Sequence, residues 1–345
     1  MGWKIRFYFP FALNFFCVIS QSIFSTLLRA MTFFSVTLIH EVAITNAFRF
    51  TIKRAVTFLV ISNIVIALVI WNHIGFVLDD ILYPEWKDQP VTRPIFIIGN
   101  ARSGTTWIHR MITLEDSYFT TMKTWEILFA ASVSWRKLFS LLFRLDKRWL
   151  RGRLFVCVLQ IESMITKDNS SLHRIGLLEA EEDEWIMLHI FASQLMMLIF
   201  PVGGTLLNPL VNFDLDQDKF GLPSDVRIMI MGYYRDCVKR HLFSKKKRLV
   251  FVSKNPAFTM RIKTLYHLFP DARVVCLVRD PVQSVPSMVS YIAHVRVPTD
   301  VCWPKEIQTS WYLFVDFLCV VSWFHSVLAL LCVAQCRLSA ICFAG

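Results

Sequence analysis

Three cations stand where they could grip an oxyanion. Arg102 lies in a glycine-bounded loop, and Lys254 and Arg279 each close a short apolar run. The loop is the most informative. Pro94 to Ile98 has the apolar pattern of a strand covered on both faces. Gly99-Asn100-Ala101-Arg102-Ser103-Gly104 then turns the chain, and Thr105-Thr106-Trp107 opens a helix. Such a turn points backbone N–H groups and the positive helix end at an anion. Arg102 adds a fork suited to phosphate or sulfate oxygens. Ser103, Thr105 and Thr106 add hydroxyls. Gly99 and Gly104 keep the spacing of an ATP-binding P-loop, but Thr105 stands where that motif has its lysine. The pattern therefore favours a phosphate-like anion over Mg-ATP. An ordinary Gly- and Ser-rich turn is the competing reading.

A strand, a helix and another strand follow the same logic downstream. Leu249 to Val252 is a second apolar run, ending in Ser253-Lys254-Asn255-Pro256. Val274 to Val278 is a third, ending in Arg279-Asp280-Pro281. Alternating strands and helices predict an α/β fold, a P-loop-like parallel sheet flanked by helices. In such sheets ligands gather at the C-terminal strand ends. That edge would collect the Gly99–Gly104 loop, Lys254 and Arg279.

Two acidic features carry further chemistry. Glu126 follows Trp125 in an apolar stretch, where a carboxylate can act as a base or can cap a helix. Glu179 to Glu184 reads EAEEDE before an apolar helical run, and capping is favoured over metal binding. His173 and His189 read as structural. Among nine scattered cysteines there is no metal-type spacing, and nothing in the sequence requires a metal.

These residues together resemble the sulfotransferase family, which moves a sulfuryl group from 3′-phosphoadenosine-5′-phosphosulfate (PAPS) to an acceptor. The resemblance spans about Arg93 to Val297 and is closest to a membrane-associated and bacterial-type branch. It implies that Arg102, Ser103, Gly104, Thr105, Thr106 and Trp107 form the 5′-phosphosulfate loop. It implies that Arg279 and Ser287 hold the 3′-phosphate. Lys254 would stabilise the leaving group. The histidine that cytosolic members carry after this lysine is absent, since Asn255 stands there. Glu126 is then the first candidate base and Glu182 the second. The acceptor would be a hydroxyl or amine of a carbohydrate, lipid or small molecule. A catalytically impaired relative and a P-loop nucleotide kinase are the alternatives.

The 345 residues are 55% hydrophobic with a net charge of +11. That balance suits an anionic ligand or a membrane surface; no nucleic-acid module is visible. Residues 1–84 are expected to form membrane helices, with Phe7 to Leu28 a weaker and Ala55 to Leu78 a stronger span. Lys53-Arg54 before the second span predict a type II, Golgi-type topology with a lumenal catalytic domain at 85–309. Trp135 to Arg153 reads as a basic amphipathic helix pair, able to rim an anionic site or rest on lipid headgroups. Residues 310–345 form an atypical hydrophobic segment, with Phe317 to Cys336 uncharged and long enough to span. It reads equally as a second anchor or a divergent end.

Overall fold

A computed structural model describes residues 28, 31, 52–100, 102–166, 176–194, 210, 212–215, 221–245, 248–280, 282–284, 286–287 and 341–344. The first expected span (apart from Leu28) and Phe317 to Cys336 lie outside the described residues.

The sheet is parallel, with strands in the order β2-β3-β1-β4-β5. They are β1 (Ile95–Gly99), β2 (Phe119–Thr120), β3 (Val250–Lys254), β4 (Arg273–Val278) and β5 (Ile341–Ala344). β1 is central. It pairs with β3 on one side, Ile97 opposite Lys254, and with β4 on the other, Gly99 opposite Leu277. Residues Phe96, Ile97 and Ile98 are fully covered, as their apolar run predicts. The chain runs from β1 to one side of it and, after β3, to the other. That reversal opens a crevice at the strands' C-terminal ends.

The helices are α1 (Ile52–Leu82), α2 (Thr105–Thr113), α3 (Thr124–Phe129), α4 (Val133–Trp149), α5 (Arg153–Thr166), α6 (Ser224–Lys245) and α7 (Ile262–Leu268). The acidic segment leads into a 3-10 helix, Asp183–Ile190, in place of the expected α-helical run. The basic helix pair is present as α4 and α5, broken at Leu150 to Gly152.

α1 departs most from expectation. Residues Leu59–Leu82 are long and apolar enough to cross a membrane. Yet Asn72 and Asp79 are completely buried against the rest of the fold. Asn72 donates to the Leu128 carbonyl at 2.8 Å. Asp79 accepts from the Val133 and Ser134 amides at 2.8 and 2.7 Å and from Arg240 at 3.1 Å, capping α4. Trp71 stacks on Trp135 at 4.0 Å. These bonds cross the boundary expected at residue 84. The remaining turns, residues 52–64, make about 20 Å of helix at ~1.5 Å per residue. A bilayer core needs about 30 Å. Polar packing therefore ties the second half of α1 to the body.

Candidate active site

The loop after β1 is shaped by two left-handed glycines. Gly99 has φ +137, and a Cβ there would lie 2.1 Å from the Leu277 carbonyl oxygen, so only glycine lets β4 approach. Gly104 has φ +88 and caps α2. Between them Arg102 itself adopts a left-handed φ of 66. Ser103 donates both its amide and its hydroxyl to the Asn100 carbonyl, closing the turn. Thr259 grips the strand end, accepting from the Gly99 amide at 3.1 Å. The Trp107 and Ile108 amides bond the Gly104 carbonyl, so α2 begins directly at the end of the loop.

The two downstream motifs meet this loop. Arg102 donates from Nε to the Ser287 hydroxyl at 3.1 Å. Arg279 donates from Nη1 to the Arg102 carbonyl at 3.0 Å, and Gln283 accepts from the other edge of its fork. Arg102, Arg279 and Ser287 are thus one contact group. Thr105 is buried beneath the loop, Thr106 half-buried and Trp107 exposed.

Lys254 is fully buried at the end of β3. Its Nζ donates to Glu182 Oε1 at 3.1 Å and lies 4.0 Å from Glu181 Oε2. The acidic segment is not a cap, because Glu182 makes no side-chain capping bond. Its side chains fan onto β3 and the 3-10 helix Pro256–Arg261. Asp183 accepts from Ser253 at 2.9 Å, from Asn255 at 3.3 Å and from Tyr234. Burial pushes Asp183 up to about 6 against those hydrogen bonds. Glu184 meets Arg261 at 3.2 Å and accepts from Ser193 and the Gln194 amide. Burial lifts it to about 7 against the pull of Arg261. Among the described residues no acidic, histidine or cysteine group is arranged to hold a metal.

Glu126, the first-choice base, has other partners. It accepts from the Lys123 amide at 2.9 Å in a capping box and from Arg136 and Lys245 at 3.1 Å each. Burial alone would raise its pKa, but Arg136 and the neighbouring charges reverse that and hold it at about 2. His241 beside it is kept neutral by burial and Arg136, so it serves as a hydrogen-bond partner. A carboxylate so engaged does not accept a proton at neutral pH. Glu182 is the carboxylate that touches Lys254.

Two contributors were not legible beforehand. Asp183 was hidden in an acidic run that looked like a helix cap. The signal was the polar tail of β3, Ser253-Lys254-Asn255, which demands partners once buried. His109, on α2, is buried with its Nε2 2.9 Å from the Thr121 hydroxyl. Burial, and then Lys254, lower it to about 3, so it supports the site as a neutral ring. His189 is likewise structural, within 3.2 Å of both Asn72 and Tyr233.

The profile of the sulfotransferase family matches residues 94–313, the greater part of the chain. The protein belongs to the sulfotransferase family, and the nucleotide-kinase alternative falls away. Two curated relatives are named omega-hydroxy-beta-dihydromenaquinone-9 sulfotransferase Stf3, one from Mycobacterium bovis and one from Mycobacterium tuberculosis. Each is 26% identical over 197 residues, covering 57% of this chain and 44% of the relative. The chain thus spans less than half the length of those relatives. Two crystal structures share the fold. Sulfotransferase STF9 from Mycobacterium avium superposes with a TM-score of 0.63 at 17% identity, covering 98% of this chain and 77% of its own. Sulfotransferase STF1 from Mycobacterium tuberculosis H37Rv gives 0.62 at 16%, covering 94% and 84%. These relatives are bacterial and offer no counterpart for a Golgi placement.

Proposed function

We propose that the protein transfers a sulfuryl group from PAPS to an acceptor hydroxyl. The observation that carries this reading is the contact of Arg102 with both Ser287 and Arg279 beside the ends of β1 and β4. Two guanidinium groups, nearby hydroxyls and the first turn of α2 suit a donor with two anionic groups. The donor supplies the sulfuryl group on a sulfate–phosphate anhydride.

In this reading Arg102, Ser103, Gly104, Thr105, Thr106 and Trp107 hold the 5′-phosphosulfate, and Arg279 with Ser287 hold the 3′-phosphate. Lys254 offers its charge to the oxygen from which the sulfuryl group departs. Glu182, not Glu126, takes the acceptor proton: it is half-exposed and bonded to Lys254 at 3.1 Å. The chain's work is positioning and electrostatics.

Among carbohydrate, lipid and small-molecule acceptors, a lipid hydroxyl is favoured. The relatives' names specify a hydroxylated dihydromenaquinone. Exposed Val56, Leu59, Val60 and Ile64 give α1 an apolar outer row beside the body, consistent with work at a membrane.

Calorimetry with 3′-phosphoadenosine-5′-phosphate tests the donor site. Arg279→Ala is expected to weaken binding by about 1–3 kcal/mol, the scale of a charged hydrogen bond. Unchanged affinity removes Arg279 from the site. Radiolabelled PAPS with a lipid and glycan extract tests the reaction, with a labelled lipid as the expected product.

A further inference from the structure

The α4–α5 hairpin is absorbed by neither the core nor the donor site. Eleven large hydrophobic side chains between Leu141 and Met164 are exposed, Trp149 by 74% and Met164 by 76%. The same hairpin carries six exposed cations, Lys137, Arg144, Lys147, Arg148, Arg151 and Arg153, of which Lys137 lies over the Tyr83 ring. The two acidic residues of the same stretch are engaged with backbone amides. Asp146 is buried and accepts from the Leu154 and Phe155 amides at 3.1 Å each; Glu162 accepts from the Leu177 amide.

The hairpin is also a defined shape. Asp146 ties the end of α4 to the start of α5, and Phe143 meets Phe155 at 5.2 Å across the two helices. Left-handed Arg151 and Gly152 make the turn. Trp149, Leu150 and the arginines on either side therefore sit at a held tip.

We propose that this hairpin docks on an anionic lipid surface, with Trp149 and Leu150 at the acyl boundary and Arg148, Arg151 and Arg153 on headgroup phosphates. Apolar side chains interleaved with cations, and an aromatic at the tip, are the pattern of an interfacial helix. The charge argues against the other occupants. A second copy meeting this face by a two-fold axis would set six cations against six. The apolar stretch Trp311 to Arg337 of the same chain carries one acidic residue, Asp316, to answer them. Anionic headgroups answer all six, at a gain of about fivefold in partition per cation. The inference stands whether or not the sulfotransferase reading does.

A photo-reactive amino acid placed at Trp149 of the full chain tests it, with the same group at exposed Lys263 on α7 as control. The chain is mixed with vesicles of phosphatidylcholine alone or with added phosphatidylserine, then illuminated. Lipid adducts are expected from position 149, several-fold more on the anionic vesicles, and not from position 263. Replacing both Arg148 and Arg151 by alanine should lower the yield on mixed vesicles by about twenty- to thirtyfold, two cations at about fivefold each. These side chains are exposed, so an unchanged melting midpoint checks the fold. Adducts joining two chains, equal lipid yields from both positions, or no lipid adduct at 149 overturn the proposal.

Discussion

Two knots of charge lie in this protein, and they are opposites. At Glu126 one carboxylate meets two permanent cations, Arg136 and Lys245, and a backbone amide. At Glu181 to Glu184 three of four carboxylates meet two cations, Lys254 and Arg261, and Asp183 meets only neutral donors. The first carboxylate is held near pKa 2, whereas burial lifts Asp183 to about 6 and Glu184 to about 7. The Glu126 side chain is 4% exposed and that of Glu182 36%. Desolvation acts on both knots; the direction follows from what opposes it, several positive neighbours at Glu126, Arg261 with hydrogen bonds at Glu184 and neutral donors at Asp183. A closed knot fastens helices, and a carboxylate-rich one at a strand end can do proton chemistry.

The largest effects should separate the two by function. Glu182→Gln keeps the shape of the side chain and removes the proposed proton acceptor. Turnover is expected to fall about a hundred- to ten-thousandfold with donor affinity little changed. Lys254→Met should cost about a hundred- to thousandfold in turnover. Full activity in Glu182→Gln, measured with labelled PAPS, would remove it as the base.

Glu126→Gln should do the reverse. It leaves Arg136 buried beside a neutral partner, which costs on the order of 3 kcal/mol of stability. Turnover per folded molecule should stay near that of the parent. Chemical denaturation and single-substrate kinetics on the same preparation read both quantities. Lost turnover at unchanged stability would return Glu126 to the active site and erase the contrast between the knots.

Much of the candidate donor edge was legible from the chain, because its signals are local. β1, β3 and β4 announce themselves as apolar runs, and each cation follows its strand directly. Arg102, Arg279 and Ser287 meet because parallel strands bring their ends to one edge. The proposed base was not legible in the same way. Glu126 and Glu182 are both glutamates beside apolar residues, and their difference lies in partners from α4, α6 and β3 far along the chain. β2 has two residues and no pattern to read. α1 was legible as a long apolar helix, but its packing was not, because Asn72 and Asp79 find their partners more than fifty residues away.

The smallest effect is the most direct measure of the contrast, because the two knots should respond to pH with opposite sign. Glu184 has a folded pKa of about 7 against an ordinary 4.5, so the folded state holds its proton where the unfolded state has lost it. Its contribution is full below pH 4.5 and is lost as pH rises through about 7. Glu126, at about 2 against 4.5, contributes above pH 4.5 and loses that contribution as pH falls through about 2. Neutral His109 and His189, lowered to about 3, add their own loss below the ordinary 6.5. A single stability curve therefore mixes these trends, and difference curves are needed. Parent minus Glu184→Gln should slope downward between pH 4.5 and 7, by no more than about 1.4 kcal/mol per pH unit for one proton. Parent minus Glu126→Gln should be flat there and slope upward between pH 2 and 4.5. Denaturation midpoints across buffers supply both curves. Slopes of the same sign would mean that Arg261 satisfies Glu184 as fully as Arg136 and Lys245 satisfy Glu126, and that these opposing partners do not distinguish the two sites.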